Sequence, residues 1–325
     1  MGEIEYREAI REAVIEEMDN DPKVFLIGED IGKYGGAFRA YKGLFEKYGP
    51  ERVINTPISE AAIIGAGIGA ALTGYRPIAE IMFIDFATLA MDQIVNQAAK
   101  IRYMTGDSLN VPLVIRTQGG AGRGVAAQHS QSLEAWFYHI PGLKVVMPST
   151  PYDVKGLLKT AVRDNNPVIF IEHKMIYLNK GPVPEEEYLI PFGKADIKRQ
   201  GSDVTIFAYS NMVFKSLEAA KELEKEGIKC EIVDPRTLVP LDEETLINSI
   251  KKTNHLVIVS EACERGGVAS DICAKINQKA FDLLDAPVKI VAGLNTPIPY
   301  NSTLEQASIP HKENIIRAVK DVLNS

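Results

Sequence analysis

Short apolar runs alternate with helix-like stretches along almost the whole of this chain, and that rhythm leaves few folds open. In the first half the runs are Val24–Ile27, Arg52–Asn55, Pro77–Phe83, Leu113–Arg116, Lys144–Met147 and Val168–Ile171. Several are apolar at consecutive rather than alternate positions, the pattern of strands covered on both faces. Helical stretches such as Leu89–Tyr103 and Tyr152–Arg163 fall between them. Strand and helix in alternation predict a mainly parallel sheet between helical layers, a three-layer α/β/α fold. A second series comprises Val204–Phe207, Cys230–Val233, Leu256–Val259 and Val288–Val291, with a predicted helix from Val268 to Leu284. Between the two series lies a stretch with Pro182, Pro184, Pro191 and the acidic run Glu185-Glu186-Glu187, read as a linker. A length of 325 residues supports two cores. The expected division is a first domain over 1–180, a linker over 181–200 and a second domain over 201–325.

Charge and composition exclude several classes. The net charge is −7 with no block of Lys and Arg, so no basic stripe offers itself to nucleic acid. No apolar run reaches membrane-spanning length. The start, Glu3 to Glu8, reads as a charged amphipathic helix rather than a signal peptide. Cys230, Cys263 and Cys273 lack metal-ligand spacing; their odd number fits reduced thiols in a cytoplasmic protein, with Cys263 and Cys273 read as small core residues.

Glu60 is out of place beside its neighbours. The twelve residues from Ala61 to Leu72 are all Gly, Ala, Ile or Leu, so the helix they form should be buried on every side. A carboxylate in its first turn has two readings. It is a dipole-compensating acid beside an N-cap Ser59, or a buried acid whose partner is a ligand. Within the same helix Gly65-Ala66-Gly67-Ile68-Gly69-Ala70 matches a dinucleotide fingerprint, with Asp85 about 20 residues on. The fingerprint glycines belong in the turn before a helix, and here the helix has already opened. Close packing through small residues explains them better.

A second glycine cluster, Gly119-Gly120-Ala121-Gly122-Arg123-Gly124, comes after the strand at Leu113 and sits where open α/β sheets bind ligands. It lacks the Gly-Lys-Ser/Thr ending of a phosphate loop. Beyond it comes Gln128-His129-Ser130-Gln131-Ser132, a polar group in which His129 suits proton transfer. A serine hydrolase is the competing class, but no Gly-x-Ser-x-Gly elbow is present.

Several segments, in order, carry a resemblance: Thr56-Pro57-Ile58-Ser59-Glu60, Asp85-Phe86, Asp92-Gln93-Ile94, Ala127-Gln128-His129-Ser130-Gln131, Pro141–Val146, Asp164-Asn165-Asn166-Pro167-Val168 and Asp234–Leu238. Together they resemble the β subunit of the thiamine diphosphate-dependent decarboxylase component of 2-oxo acid dehydrogenase complexes, of the pyruvate and acetoin type. The resemblance spans essentially the whole chain, including Pro297-Ile298-Pro299-Tyr300. It implies a pyrimidine-binding domain followed by a transketolase C-terminal-like domain, and an α2β2 tetramer.

The resemblance also implies roles. Glu60 shares a proton with the aminopyrimidine ring of thiamine diphosphate. This favours the imino form that deprotonates the thiazolium carbon. Phe86 stacks on the pyrimidine, Ile58 and Leu89 line its pocket, and Tyr34 sits at the mouth. His129 serves the substrate carboxylate or a proton transfer during acyl transfer to the lipoyl group. Leu113, Ala161, Val162, Asp164 and Asn166 match a potassium site, which hard-cation chemistry allows because its ligands are oxygens. The Gly-Asp-Gly motif for diphosphate and Mg²⁺ is absent from this chain, which places that site on the α subunit. The implied reaction is pyruvate decarboxylation with reductive acetylation of the lipoyl group on an acyltransferase core, whose docking surface could include Asp282 or Asp285. Acetoin cleavage is the alternative, and branched-chain 2-oxo acids a lesser one. A nicotinamide dehydrogenase using Gly65–Ala70 and a non-catalytic scaffold are the rivals from other classes.

Overall fold

The computed structural model describes residues 2–325 and divides into two compact units. The first comprises the chain up to Gly119 together with Trp136–Phe192; the second comprises Gly120–Ala135 and Gly193–Ser325.

The first unit opens with β1 (Gly2–Glu5) and α1 (Tyr6–Asn20), so part of the predicted N-terminal helix is a strand. β1 pairs antiparallel with β8 (Lys180–Val183), all but the first residue of which lies inside the segment read as linker. Between them run β2 (Val24–Glu29), α2 (Leu44–Tyr48), β3 (Val53–Thr56), α3 (Glu60–Leu72), β4 (Arg76–Ile81), α4 (Ile101–Met104), β5 (Val114–Gly119), α5 (Glu134–Tyr138), β6 (Lys144–Val146), α6 (Pro151–Arg163) and β7 (Val168–His173). Six of these strands form a parallel sheet in the order β6-β7-β5-β4-β2-β3. β5 and β7 are buried along their whole length, including the polar residues Arg116, Thr117 and Gln118 of β5 and Glu172 and His173 of β7. The predicted helix from Leu89 to Tyr103 is broken into a 3₁₀ segment (Ile84–Ala90), a π turn (Gln93–Ala98) and α4.

Local chemistry sets the helix starts. The hydroxyl of Thr150 accepts from the amide of Asp153 at 3.2 Å, with Pro151 in the first turn of α6. α6 packs on α1, where Lys155 pairs with Glu12 and Glu16, Lys159 with Glu16, and Arg163 with Glu17. At the turn before β6, Gly142 has φ +101°, and a Cβ there would lie 2.0 Å from the carbonyl oxygen of Ala99. Gly142→Ala is expected to cost roughly 3 kcal/mol or more, the sum of a left-handed backbone penalty and a backbone clash, read as a lowered urea midpoint.

The second unit contains β9 (Asp196–Arg199), β10 (Val204–Ala208), α7 (Asn211–Lys225), β11 (Cys230–Asp234), β12 (Thr237–Val239), α8 (Glu243–Thr253), β13 (Leu256–Cys263), α9 (Val268–Ala280), β14 (Lys289–Gly293), α10 (Ser302–Ser308) and α11 (Lys312–Leu323). Its sheet runs β14-β13-β10-β11-β9, parallel except for the edge strand β9. Ile206, Ile232, Val257, Met212, Leu223 and Val319 fill the core on one face. The predicted helix from Val268 to Leu284 ends at Ala280 and continues as a 3₁₀ turn, Phe281–Leu283. Cys230 is buried, but Cys263 is exposed and Cys273 half-buried, so the reading of these last two as core residues is corrected.

Candidate active site

Three adjacent parallel strands deliver the candidate cofactor-binding residues of the first unit. β2 is hydrogen-bonded to β3 on one side and β4 on the other, so their carboxyl ends share one edge of the sheet. Tyr34 comes after β2, Ile58 and Glu60 after β3, and Phe86 and Leu89 after β4. This edge is where parallel α/β sheets present ligand-binding loops.

Glu60 is the first residue of α3 and is 6% exposed. Among the described residues no hydrogen bond or ion pair engages its carboxylate. A charged neighbour is another acid. Burial, together with the charges of Asp30 and Glu60, pushes the Glu29 carboxyl above its ordinary value. Ser59 holds the N-cap position, yet its side chain makes no capping bond, so the capping reading loses its main support. α3 itself departs from expectation: Ala62, Ala66 and Gly69 are exposed on one face. Of its glycines, Gly67 alone meets close packing, where a Cβ would come within 3.1 Å of Leu113. All three lie within the helix rather than in a strand-to-helix turn, which removes the dinucleotide reading.

Ile58, Leu89 and Tyr34 are 74%, 62% and 58% exposed in this chain. Large apolar side chains gathered along one edge and left open mark a surface that something else covers. Phe86 is half-buried and meets Phe83 edge to face, with ring centroids 5.9 Å apart.

β5 leads into the glycine cluster, where the second unit begins. Gly120, Gly122, Gly124 and Ala126 all have positive φ, of 87°, 109°, 64° and 63°. Alternating left-handed residues turn successive N–H groups to one side and make an anion-binding concavity. Its guests are carboxylates of the chain itself. Glu305 of α10 accepts from the amides of Gly122 (2.8 Å) and Gly124 (3.0 and 3.2 Å), and Glu261 of β13 accepts from Ala121 at 2.7 Å. The loop expected to bind a ligand is therefore occupied from within. His129, half-buried, stands five residues after Gly124 in the same unit. Among the described residues the buried Ser130 hydroxyl has no hydrogen-bond partner, and it belongs to the wall of a cavity of about 370 Å³, with Glu261, Cys263 and Asn295.

The oxygens matched to a potassium site lie on the turn after α6 and beside β5. The amide of Asp164 donates to the Ala161 carbonyl (3.2 Å), and Val168 donates to that of Leu113 (2.9 Å). Arg76 donates to the carbonyls of Val162 (2.9 Å) and Asp164 (3.1 Å). The side chains are also committed. Lys144 pairs with the Asp164 carboxylate, which accepts two bonds from Asn166 at 2.8 Å, and Arg102 donates to the Asn166 amide oxygen at 2.8 Å. Burial alone would raise the Asp164 carboxyl, but the bonds from Lys144 and Asn166 outweigh it and hold it below its ordinary value.

A feature missed in the sequence lies in the middle of the sheet. Arg116 of β5 is fully buried between Glu80 of β4 and Glu172 of β7, with which it forms ion pairs. It also donates to the hydroxyls of Tyr41 (2.8 Å) and Tyr177 (2.9 Å). The partners lie 36 to 75 positions away along the chain, so no local pattern signalled the cluster.

Comparison with known proteins agrees with this architecture. Residues 2–179 match the transketolase pyrimidine binding domain, and residues 193–315 the transketolase C-terminal domain. A split gene transketolase, solved as an inactive β4 tetramer, superposes with a TM-score of 0.81 at 26% identity, covering 99% of both chains. The fold is thus that of a transketolase-type two-domain α/β protein. Over its length the chain is 51% identical to the acetoin:2,6-dichlorophenolindophenol oxidoreductase subunit beta of Cupriavidus necator, covering 97% of this chain and 96% of that one. It is 48% identical to the mitochondrial pyruvate dehydrogenase E1 component subunit beta of Bos taurus (99% and 91% covered). With the 2-oxoisovalerate dehydrogenase subunit beta of Bacillus subtilis it shares 47% (99% and 99%). The chain belongs to the family of E1 β subunits of 2-oxo acid and acetoin dehydrogenases, a family that works with thiamine diphosphate.

Proposed function

We propose that this chain is the β subunit of a pyruvate dehydrogenase E1 component. With an α subunit it would decarboxylate pyruvate and transfer the acetyl group, with two electrons, to the lipoyl disulfide of an acyltransferase. The observation that carries the reading is Glu60: a buried carboxylate at the ligand-binding edge of a parallel sheet, with no cation among the described residues to neutralise it. A buried acid without a partner is costly, and a protonatable ring nitrogen removes that cost.

When bound, thiamine diphosphate supplies a carbon nucleophile for the 2-oxo carbonyl and an electron sink for the broken bond. The residues of this chain prepare it. Glu60 holds and returns a proton at the pyrimidine ring nitrogen. Phe86 offers a ring face for stacking, while Ile58 and Leu89 exclude water and Tyr34 guards the mouth. His129 is assigned a proton or the substrate carboxylate. The α subunit would bring the diphosphate and Mg²⁺ site, since this chain lacks a Gly-Asp-Gly motif. Potassium would rest on the carbonyls of Leu113, Ala161, Val162, Asp164 and Asn166, whose second lone pairs suit a hard cation even where a first is taken. The exposed Asp282 and Asp285 are proposed to face the acyltransferase. No helix among the described residues is long and apolar enough to cross a membrane; a cytoplasmic setting is proposed from the free cysteines.

Acetoin cleavage is the second reading, favoured by the 51% identity to the Cupriavidus necator oxidoreductase subunit. Turnover of pyruvate, acetoin and 3-methyl-2-oxobutanoate by the purified α–β pair separates the readings. Pyruvate is expected to win by about tenfold or more in kcat/KM, the discrimination a fitted pocket supplies. A lead for acetoin moves the assignment to that enzyme, and no turnover of any of the three refutes both. The β chain alone is expected to turn over none of them.

A further inference from the structure

We infer that Glu305, with Glu261, is a positioning residue for the loop that carries His129. The inference rests on the functional reading of His129 and adds a residue to it. From Gly120 to Leu133 the chain forms neither helix nor strand. A segment of that kind is ordinarily among the first to open. Here it is tied at three places. At its start the concavity of left-handed residues closes on two carboxylates, through three bonds to Glu305 and one to Glu261. At its waist the amide of Gly120 donates to the carbonyl of Gln131 at 3.0 Å, drawing its two arms together. At its end the buried Glu134 accepts from the Tyr209 hydroxyl at 2.9 Å, and that hydroxyl shares a 2.7 Å bond with Ser260.

Glu305 is the unusual member. It is 1% exposed, and among the described residues no Lys, Arg or His pairs with it. Its charge is balanced by backbone N–H groups alone, and such charge-assisted bonds are the stronger kind. Its own placement is fixed by α10, whose Asn301 cap accepts from Thr303 at 3.0 Å and Leu304 at 3.2 Å. A core position filled by a lone carboxylate is a poor way to gain stability, because an apolar residue would avoid the desolvation. It is a good way to fix a backbone at one geometry, since the three bonds specify the dihedrals of Gly122 and Gly124. His129 inherits that geometry.

The test uses the reconstituted α–β enzyme with thiamine diphosphate and Mg²⁺, comparing Glu305→Ala, Glu305→Gln, His129→Ala and the double Glu305→Ala/His129→Ala. Glu305→Ala is expected to lower kcat about 10- to 100-fold, the range a misplaced reacting group costs. Cofactor KM should stay within about twofold, because the uniform binding of the cofactor is untouched. Glu305→Gln keeps one acceptor oxygen and should lose less. In the His129→Ala background, removing Glu305 should cost no more than about threefold, the sign of two residues acting as one unit. Additive losses in the double variant overturn the inference. A crippled His129→Ala beside a fully active Glu305→Ala overturns it alone. A fully active His129→Ala overturns the reading of His129 and this inference with it. Should Glu305→Ala fail to assemble with the α subunit, the same cycle is run with Glu305→Gln, and equal losses with and without His129 are the refuting result.

Discussion

Replacing Glu60 with glutamine is expected to lower turnover of the α–β enzyme by at least about 100-fold, the lower end of what a positioned proton donor contributes. Gln preserves the shape and a hydrogen-bonding group but cannot give or take a proton at the ring nitrogen. Glu60 opens α3 on the sheet edge shared by β2, β3 and β4, so the substitution leaves the fold's supports in place. No bond within the chain is lost either, because its carboxylate makes none among the described residues. Turnover and stability should therefore separate: kcat collapses while the thermal midpoint of the chain holds, as no bond within it is removed. A drop in midpoint with kcat preserved would point to the helix-capping role instead.

Arg116→Met should be the most destabilising single change in the first unit. It leaves Glu80 and Glu172 buried without their counter-charge, and breaking such a pair typically costs about 3–5 kcal/mol. The pH dependence carries its own sign. Burial pushes both carboxyls above their ordinary value, and the Arg116 charge pulls them partly back. An acid whose folded pKa is raised loses stability as pH climbs through that pKa. Without Arg116 the pull disappears, the carboxyls rise further, and the penalty grows with pH. The deficit in urea midpoint should thus shrink on going from about pH 8 to about pH 6, where protonation relieves the pair. Replacing Glu80 and Glu172 as well, by Gln and Leu, should recover much of the loss. A deficit independent of pH would mean that lost packing against Tyr41 and Tyr177, rather than charge, sets the cost.

Range along the chain decided how much was legible in the sequence. The continuous apolar runs Val24–Ile27 of β2 and Val168–Ile171 of β7 gave away a buried parallel sheet, because burial on both faces leaves a local mark. The edge strands β1, β8 and β9 were not seen; each is only four residues long and lacks a run of consecutive large apolar residues. The helix expected from Leu89 to Tyr103 has suitable residues throughout, and nothing local announces the π turn that breaks it. Glu60 was legible because a lone acid ahead of twelve small or apolar residues is a local conflict. The conformations of Gly120, Gly122 and Gly124 were hinted at by composition, but their carboxylate guest lies more than 180 positions downstream at Glu305. Arg116 read as the polar end of a strand, and its partners on the neighbouring strands were beyond any window.

The central claim is that Glu60 exchanges a proton with the pyrimidine of the cofactor and so controls the acidity of the thiazolium carbon. Deuterium exchange at that carbon, measured by NMR after acid quench of the α–β enzyme loaded with thiamine diphosphate, reads this step apart from decarboxylation and acyl transfer. Glu60→Gln should slow the exchange by about 100-fold or more relative to the unaltered enzyme, at equal cofactor occupancy. Exchange at the unaltered rate in the Glu60→Gln enzyme would contradict the account.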